Sequence, residues 1–324
     1  MSITVIIPTH QTPEHVLSCA ISNALACQHV ERVLVIDDGS EPAVVLSSPD
    51  PRVELIRQTN AGPAAARNTG LDRVLTDWAL LLDDDDELIP EGIADAHTLA
   101  VALHAAAAVV GRVEVTRPGA SSSGGPSGAP DFAKPMPAPS EWAGRALPRP
   151  ADVFRPITLF NASGTLIARS VLDAGLRYDT TLKIGEDREF LRRVAEHGPI
   201  AVAPSIAVRA GTNARADRLT SASHLERRAQ DHLAIMRRWL DAESEPHFRE
   251  ATRWLLNAMS KRPVPRTDLS MLGGSGGVLD AGGPDPSSPD AYTLLLDLAR
   301  ERKWLTLGQE LKLGLRHALR GVMS

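Results

Sequence analysis

A chain of 324 residues, 43% hydrophobic and 23% charged, is long enough for a full core and a second, smaller domain, and its composition is that of a globular protein. A formal net charge of −5 gives no electrostatic case for a nucleic-acid partner, which calls for a basic face. With only Cys19 and Cys27 present, no disulfide framework holds the fold.

No charged segment followed by an apolar one opens the chain. The longest apolar stretch, residues 99–110, is interrupted by His104 and too short to span a bilayer, so the expectation is a cytoplasmic protein. Ile3-Thr4-Val5-Ile6-Ile7 is a continuous β-branched run, the pattern of a strand covered on both faces, and Pro8-Thr9 ends it. Thr12 and Pro13 then supply an N-cap and an N1 proline for a helix whose apolar face is Val16, Leu17, Ala20, Ile21, Ala24 and Leu25. Cys19, at the edge of that face, reads as a small buried filler.

A second strand, Val33-Leu34-Val35-Ile36, runs into Asp37-Asp38-Gly39-Ser40. A third, Val53-Glu54-Leu55-Ile56, leads to Asn60-Ala61-Gly62-Pro63 and a helix carrying Arg67 and Asn68. A fourth, Trp78-Ala79-Leu80-Leu81-Leu82, ends in Asp83-Asp84-Asp85-Asp86. Strands and helices alternate with polar turns at the strand ends, which predicts an α/β fold with a mostly parallel sheet and crossover helices.

The four consecutive carboxylates repel one another unless water or a cation compensates. Mg²⁺ or Mn²⁺ suits such oxygen donors, held through one or two carboxylates plus substrate phosphates. Ligands of open α/β sheets sit beyond the carboxyl ends of the strands, where this cluster falls. A solvated acidic turn is the alternative.

Residues 117–150 hold 8 Pro, 5 Gly and 5 Ser in 34 positions, too much turn chemistry for regular structure. An acceptor-side lid and plain disorder are both open for this loop, with Trp142 as its one anchor. Helical periodicity follows over residues 221–241, where Leu225, Ala229, Leu233, Met236 and Leu240 share a face, and again around Phe248, Ala251, Leu255, Leu256 and Met259. Residues 262–290, with five Gly/Ser at 273–277, read as a flexible linker. They divide a C-terminal helical extension, 221–324, from which a catalytic domain over 1–220 is separated. In the last helix Leu307, Leu311, Leu315 and Leu319 form a row beside Lys312, Arg316 and Arg320. That row either packs on the catalytic domain or makes peripheral contact with an anionic membrane at its inner face.

Taken together, Val5-Ile6-Ile7-Pro8-Thr9, Val35-Ile36-Asp37-Asp38-Gly39-Ser40, Asn60-x-Gly62-x-x-x-Ala66-Arg67-Asn68-x-Gly70 and Leu82-Asp83-Asp84-Asp85-Asp86 resemble the ordered signature of family-2 glycosyltransferases with the GT-A fold. Gly164-Thr165-Leu166-Ile167-Ala168-Arg169 and Gly185-Glu186-Asp187-Arg188-Glu189-Phe190 are similar to that family's acceptor-side segment and its ED motif. The resemblance spans roughly residues 3–210, and five motifs in order make it specific where any one alone is weak.

It implies an inverting transfer of a sugar from a nucleotide-diphospho-sugar, most plainly UDP-linked, to an acceptor that is a glycan, a lipid-linked glycan or a small molecule. The backbone at Pro8 and Thr9 and the carboxylate of Asp38 would hold the nucleobase, Asp38 accepting from an imide N–H. Asp37 keeps a turn-forming role before Gly39. Arg67 either reaches the base or diphosphate or makes a surface salt bridge. Asp85 matches the metal ligand of an Asp-x-Asp pattern, Asp83 or Asp84 the group that holds the ribose, and Mg²⁺ or Mn²⁺ would stabilise the departing diphosphate.

Asp187 matches the general base, with Glu186 orienting it or the acceptor, at the start of a helix that buries Phe190, Leu191, Val194 and Ala195 and ends at Gly198. Arg188, Arg192 and Arg193 read as a solvated face, with acceptor-phosphate binding as the other reading. One departure stands out: residues 208–215 lack the histidine that completes the metal shell in many relatives. Lower metal affinity, or a diphosphate contact from Asn213 or Arg215, would follow. A nucleotidyltransferase is the alternative enzyme class, but Pro8-Thr9-His10-Gln11-Thr12 lacks its Gly-rich basic loop. A non-catalytic nucleotide-binding relative is the third reading, and an NAD enzyme is set aside because no G-x-G-x-x-G follows the first strand.

Overall fold

The computed structural model describes residues 1–46, 50–116, 132–136, 143–147, 162–211 and 235. The helices expected beyond residue 220, the 262–290 linker, Trp142, Asn213 and Arg215 lie outside them. The chain divides into two compact units. The first comprises Met1–Val153, Leu159–Leu182 and Glu186–Arg218 and carries the whole sheet. Of the second, Phe154–Thr158, Lys183–Gly185 and Leu219–Ser324, only Lys183–Gly185 and Ile235 are described.

The first half holds the four predicted strands and their helices, with no helix among the described residues between β2 and β3 or between β4 and a short added strand: β1 (Ile3–Thr9), α1 (Glu14–Ala26), β2 (Val30–Asp38), β3 (Val53–Gln58), α2 (Pro63–Leu71), β4 (Trp78–Leu81), β5 (Glu87–Leu88) and α3 (Pro90–Ala102). The second half adds β6 (Ala107–Thr116), β7 (Phe132–Met136), β8 (Arg145–Leu147), β9 (Leu166–Ala168), α4 (Arg169–Asp173), α5 (Glu186–Val194) and β10 (Ile200–Gly211). They build one sheet in the order β3-β2-β1-β4-β9-β6-β10-β5, with β7 on β6 and β8 on β10. β3, β2, β1 and β4 are mutually parallel, whereas β9 runs antiparallel to both β4 and β6. The sheet is therefore mixed.

Period-two alternation along the parallel strands sends side chains to two separate cores. Ile6, Leu34, Ile36 and Leu81 pack with Ala64, Ala66 and Leu71 of α2 and with Phe190, Leu191 and Val194 of α5. Ile3, Val5, Ile7, Val33, Val35 and Leu80 pack instead with Leu17, Ala20 and Ile21 of α1 and Ile93, Ala96 and Ala100 of α3. Both faces are covered, which is why these strands read as unbroken apolar runs. Among the described residues no helix is long and apolar enough to cross a membrane.

Five expectations are corrected. Thr12 is not the cap of α1; the helix begins one residue later, with Pro13 at the N-cap and no side-chain cap, and the Thr12 side chain turns to Asp84, donating its hydroxyl to Oδ2. Cys19 is exposed and Cys27 buried. At 100° per residue Cys19 points roughly 130° away from the centre of the apolar face.

The Pro/Gly-rich segment is not free of regular structure: β7 and β8 pair antiparallel with the long strands β6 and β10. Those strands offer backbone donors and acceptors that a short segment can satisfy, and a proline such as Pro135 is tolerated in a strand at a sheet edge. Finally, α5 ends at Val194 rather than near Gly198, and its arginines do not form a solvated face. Arg192 is buried and paired with Glu196 at 2.8 Å, and Arg193 is paired with Glu189 at 2.7 Å. Their i, i+4 spacing brings the partners together.

Candidate active site

The carboxyl ends of β1, β2 and β4 lie side by side and carry Pro8, Thr9, Asp38 and the acidic run, while Arg67 stands on α2 and Glu186 and Asp187 open α5. At the end of β2, Asp37 Oδ1 accepts from the Ser40 amide at 2.8 Å and Oδ2 from the Val44 amide at 3.3 Å, with Arg57 at 3.4 Å. Burial pushes the Asp37 carboxyl up, but Ser40, Val44 and Arg57 together hold it below its ordinary value. This is the turn-forming role expected of it.

Asp38 points the other way. Its Oδ1 accepts from Gln58 Nε2 at 2.8 Å and from the Ala61 amide at 2.9 Å, and its Oδ2 from the Gly62 amide at 2.8 Å. Gly62 is the N-cap of α2 with φ +91, a conformation open to glycine, and its amide is turned towards the carboxylate. Gln58 is itself held by the Thr69 hydroxyl at 2.6 Å. Asp38 is thus buried and oriented by three donors, two on one oxygen and one on the other. The His10 ring lies over the same turn, its Nδ1 2.9 Å from the Asp38 carbonyl oxygen. Thr9 is buried at the end of β1, and its Oγ1 has no hydrogen-bond partner. Pro8 beside it is half-buried.

The acidic run is not a uniform fence. The Asp86 amide donates to the Asp83 carbonyl at 3.2 Å, closing a turn with Asp84 and Asp85 at its tip. Asp84 is drawn to the β1–α1 loop by Thr12, and Asp86 is buried, while Asp85 is half-buried. The Asp83 amide is anchored by Ser163 Oγ at 2.9 Å, and its carboxylate turns to Arg67. Among the described residues no three His, Cys, Asp or Glu side chains converge as a metal cage.

Arg67 is the hub. Its side chain is only 7% exposed, so the surface salt bridge is excluded. Nη2 donates to Asp83 Oδ1 at 2.8 Å and Nη1 to Glu186 Oε1 at 2.9 Å, the latter a residue 119 positions away. Its Cζ stands 5.5 Å over the ring of Tyr178, which stacks at 4.1 Å on Phe190 of α5. Burial alone would lower the guanidinium's proton affinity, but Asp83, Tyr178 and Glu186 outweigh it and keep Arg67 charged.

Glu186 is buried, and burial together with neighbouring Asp187 pushes its carboxyl up to about 7 against the opposing pull of Arg67. Asp187 is half-buried, with Oδ1 accepting from the Arg188 amide at 2.8 Å. Arg67, Asp83 and Glu186 therefore form one network, with Asp187 next to it and Asp38 and Thr9 on neighbouring strand ends. Gln58, Ser163 and Tyr178 are structural members that no motif singled out, and Thr12 was read only as a helix cap. Only a three-dimensional neighbour gives each of them its role.

A strand-end acidic turn facing a helix that opens with two acids, on a three-layer α/β sheet, defines a GT-A fold. Solved structures agree. S. aureus TarS 1-349 in complex with UDP-GlcNAc superposes with a TM-score of 0.56 at 17% identity over 93% of this chain and 81% of that one. The mannosyltransferase PcManGT from Pyrobaculum calidifontis, in complex with GDP-Man and Mn²⁺, gives 0.54 at 17% identity over 98% and 86%. The family model for glycosyl transferase family 2 matches residues 4–131. The succinoglycan biosynthesis protein ExoO of Rhizobium meliloti is 32% identical over 260 residues, 73% of this chain and 71% of ExoO. Other relatives match over shorter stretches, one of them over 33% of its own length. The chain belongs to glycosyl transferase family 2.

Proposed function

We propose that this glycosyltransferase moves a sugar from a UDP-linked donor to an acceptor hydroxyl with inversion, and that Asp187 is its general base. The observation that carries this reading is the Arg67 network, which puts the acidic turn at the end of β4 and the first residue of α5 on one guanidinium. A donor-side and an acceptor-side group held that close suit an in-line displacement. Asp187 would take the proton of the acceptor hydroxyl as its oxygen attacks the anomeric carbon, and the nucleoside diphosphate would leave. Glu186 orients it.

The nucleobase reading follows from counting lone pairs. An ionised carboxylate offers about four acceptor positions, and three of those on Asp38 are taken. One remains, on Oδ2, which matches the single imide N–H of uracil better than the paired N–H groups of guanine. The buried, unpartnered hydroxyl of Thr9 and the neighbouring Pro8 support a polar ligand at the same strand ends. Asp83 or Asp84 would hold the ribose.

The donor set fits a hard cation bound by few protein ligands. Asp85, at the tip of a carboxylate turn, would hold Mg²⁺ or Mn²⁺, with diphosphate and water completing the shell. Such a cation would stabilise negative charge on the leaving diphosphate. The PcManGT complex with Mn²⁺ supports this by analogy of fold. The test is a panel of nucleotide sugars assayed for hydrolysis and transfer with Mn²⁺ or Mg²⁺. Turnover of a UDP-sugar above the others is expected, and turnover of none would overturn the reading.

A further inference from the structure

The network raises a question that the glycosyl-transfer reading leaves open: what Arg67 does. Its guanidinium is spent on two carboxylates from different parts of the chain, and the aromatic ring of Tyr178 covers one face. The next residue makes a second tie. Asn68 Nδ2 donates to the Tyr178 carbonyl at 3.0 Å, and the Tyr178 amide donates back to Asn68 Oδ1 at 2.7 Å. Two consecutive residues of α2 thus grip the end of β4, the backbone at Tyr178 and the first residue of α5. Tyr178 stacks on Phe190 one turn further along α5, so that helix is held at two points along its axis.

From this geometry we propose that Arg67, with Asn68, is a positioning residue that sets Asp187 against the donor site, and that its guanidinium does not bind the nucleotide. The inference rests on the glycosyl-transfer reading. Three features argue for positioning over donor binding. Both Nη atoms already donate to carboxyl oxygens at 2.8 and 2.9 Å. Turning the guanidinium to a phosphate would leave buried Glu186 facing Asp187 without its counter-charge, a costly state. The planar fork is also matched to two acceptors on divergent bearings, a task that the point charge of lysine does poorly.

Three single variants, one double variant and two assays, kinetics and calorimetry, decide it. Arg67→Lys keeps the charge but can satisfy one carboxylate at a time, so α5 loses a tether. A misplacement on the order of 1 Å costs roughly 10²-fold in turnover. We expect kcat to fall by about that factor, while the KM for donor and the Kd for UDP, measured by calorimetry with Mn²⁺ present, stay within about 3-fold. Glu186→Ala removes the other end of the same tie. Its loss and that of Arg67→Lys should not multiply in the double variant, since both break one link. If Arg67→Lys does not fold, Asn68→Ala takes its place. It frees Tyr178 while leaving the ion pairs intact, and it too should lower kcat at unchanged UDP affinity.

UDP affinity weakened 10-fold or more with kcat preserved would make Arg67 a donor ligand and overturn the positioning role. Multiplying losses in the double variant, or an unchanged kcat in Asn68→Ala, would overturn it equally. A wild type that turns over no nucleotide sugar refutes the transfer reading instead, and UDP calorimetry on Arg67→Lys still decides whether Arg67 touches the nucleotide.

Discussion

Asp38→Asn separates the two duties of that side chain, anchoring the start of α2 and receiving the nucleobase. An amide keeps one acceptor oxygen and turns the other into a donor. With the amide nitrogen at the Oδ1 position it would face two donors, Gln58 Nε2 and the Ala61 amide; at Oδ2 it faces only the Gly62 amide. The second orientation is the less costly and is the one expected. One charge-assisted hydrogen bond is then lost and a buried N–H left opposite another, a cost of roughly 2–3 kcal/mol. At about 2.1 cal/mol/K of unfolding entropy per residue, a 324-residue chain then loses about 3–4 °C of Tm. The same orientation presents N–H, not oxygen, to the imide of uracil, so UDP affinity should fall at least about 10-fold. Thermal unfolding and UDP calorimetry on one preparation measure both. Wild-type UDP affinity alongside the Tm loss would refute the nucleobase contact and leave Asp38 as an anchor only, and an unchanged Tm would refute the anchor itself.

Asp187→Asn can keep the hydrogen bond from the Arg188 amide, so the fold and UDP affinity should persist while kcat drops on the order of 10²-fold or more; near-wild-type transfer to the true acceptor would sink the assignment. UDP binding should weaken strongly in EDTA and in Asp85→Ala, and equal affinity in all three conditions would remove the cation from the site. For Glu186 the folded-state carboxyl sits above its ordinary 4.5, at about 7, so the folded protein holds a proton that the unfolded chain gives up. Its contribution is therefore favourable at acid pH and lost as pH rises through that interval. Glu186→Gln should gain Tm relative to wild type between about pH 4.5 and 7, and a difference that stays constant over that range would contradict the burial. Residues 300–320 carry six Lys/Arg against two Glu, a local charge of 6 − 2 = +4. Flotation with anionic liposomes tests this segment, and a bound fraction unchanged by deleting residues 305–324 would reject it as a membrane contact.

The sequence alone determined the frame. β1, β2 and β4 were legible because strands buried on both faces must be apolar throughout, and α1 because its buried face repeats at helical spacing. The acidic turn was legible because four adjacent carboxylates repel unless something compensates, and the Glu186-Asp187 pair only through its likeness to the ED motif, since acids are favoured at any helix N-terminus. What the residues do to one another was not. Thr12 has the chemistry of a helix cap and lies beside a suitable helix; only the fold brings Asp84, 72 residues on, to take its hydroxyl. Arg192 looks solvated until the packing of α5 buries it, Arg193 until Glu189 takes its guanidinium, and β7 exists because the edge of β6 rewards a segment whose own composition predicts none. Arg67 is the sharpest case. Its charge could be read from one letter, but whether it meets water, a phosphate or a buried carboxylate depends on Asp83, 16 positions on, and Glu186, 119 positions on, being brought to it together. Local pattern sets which segments form, whereas long-range packing chooses each polar group's partner.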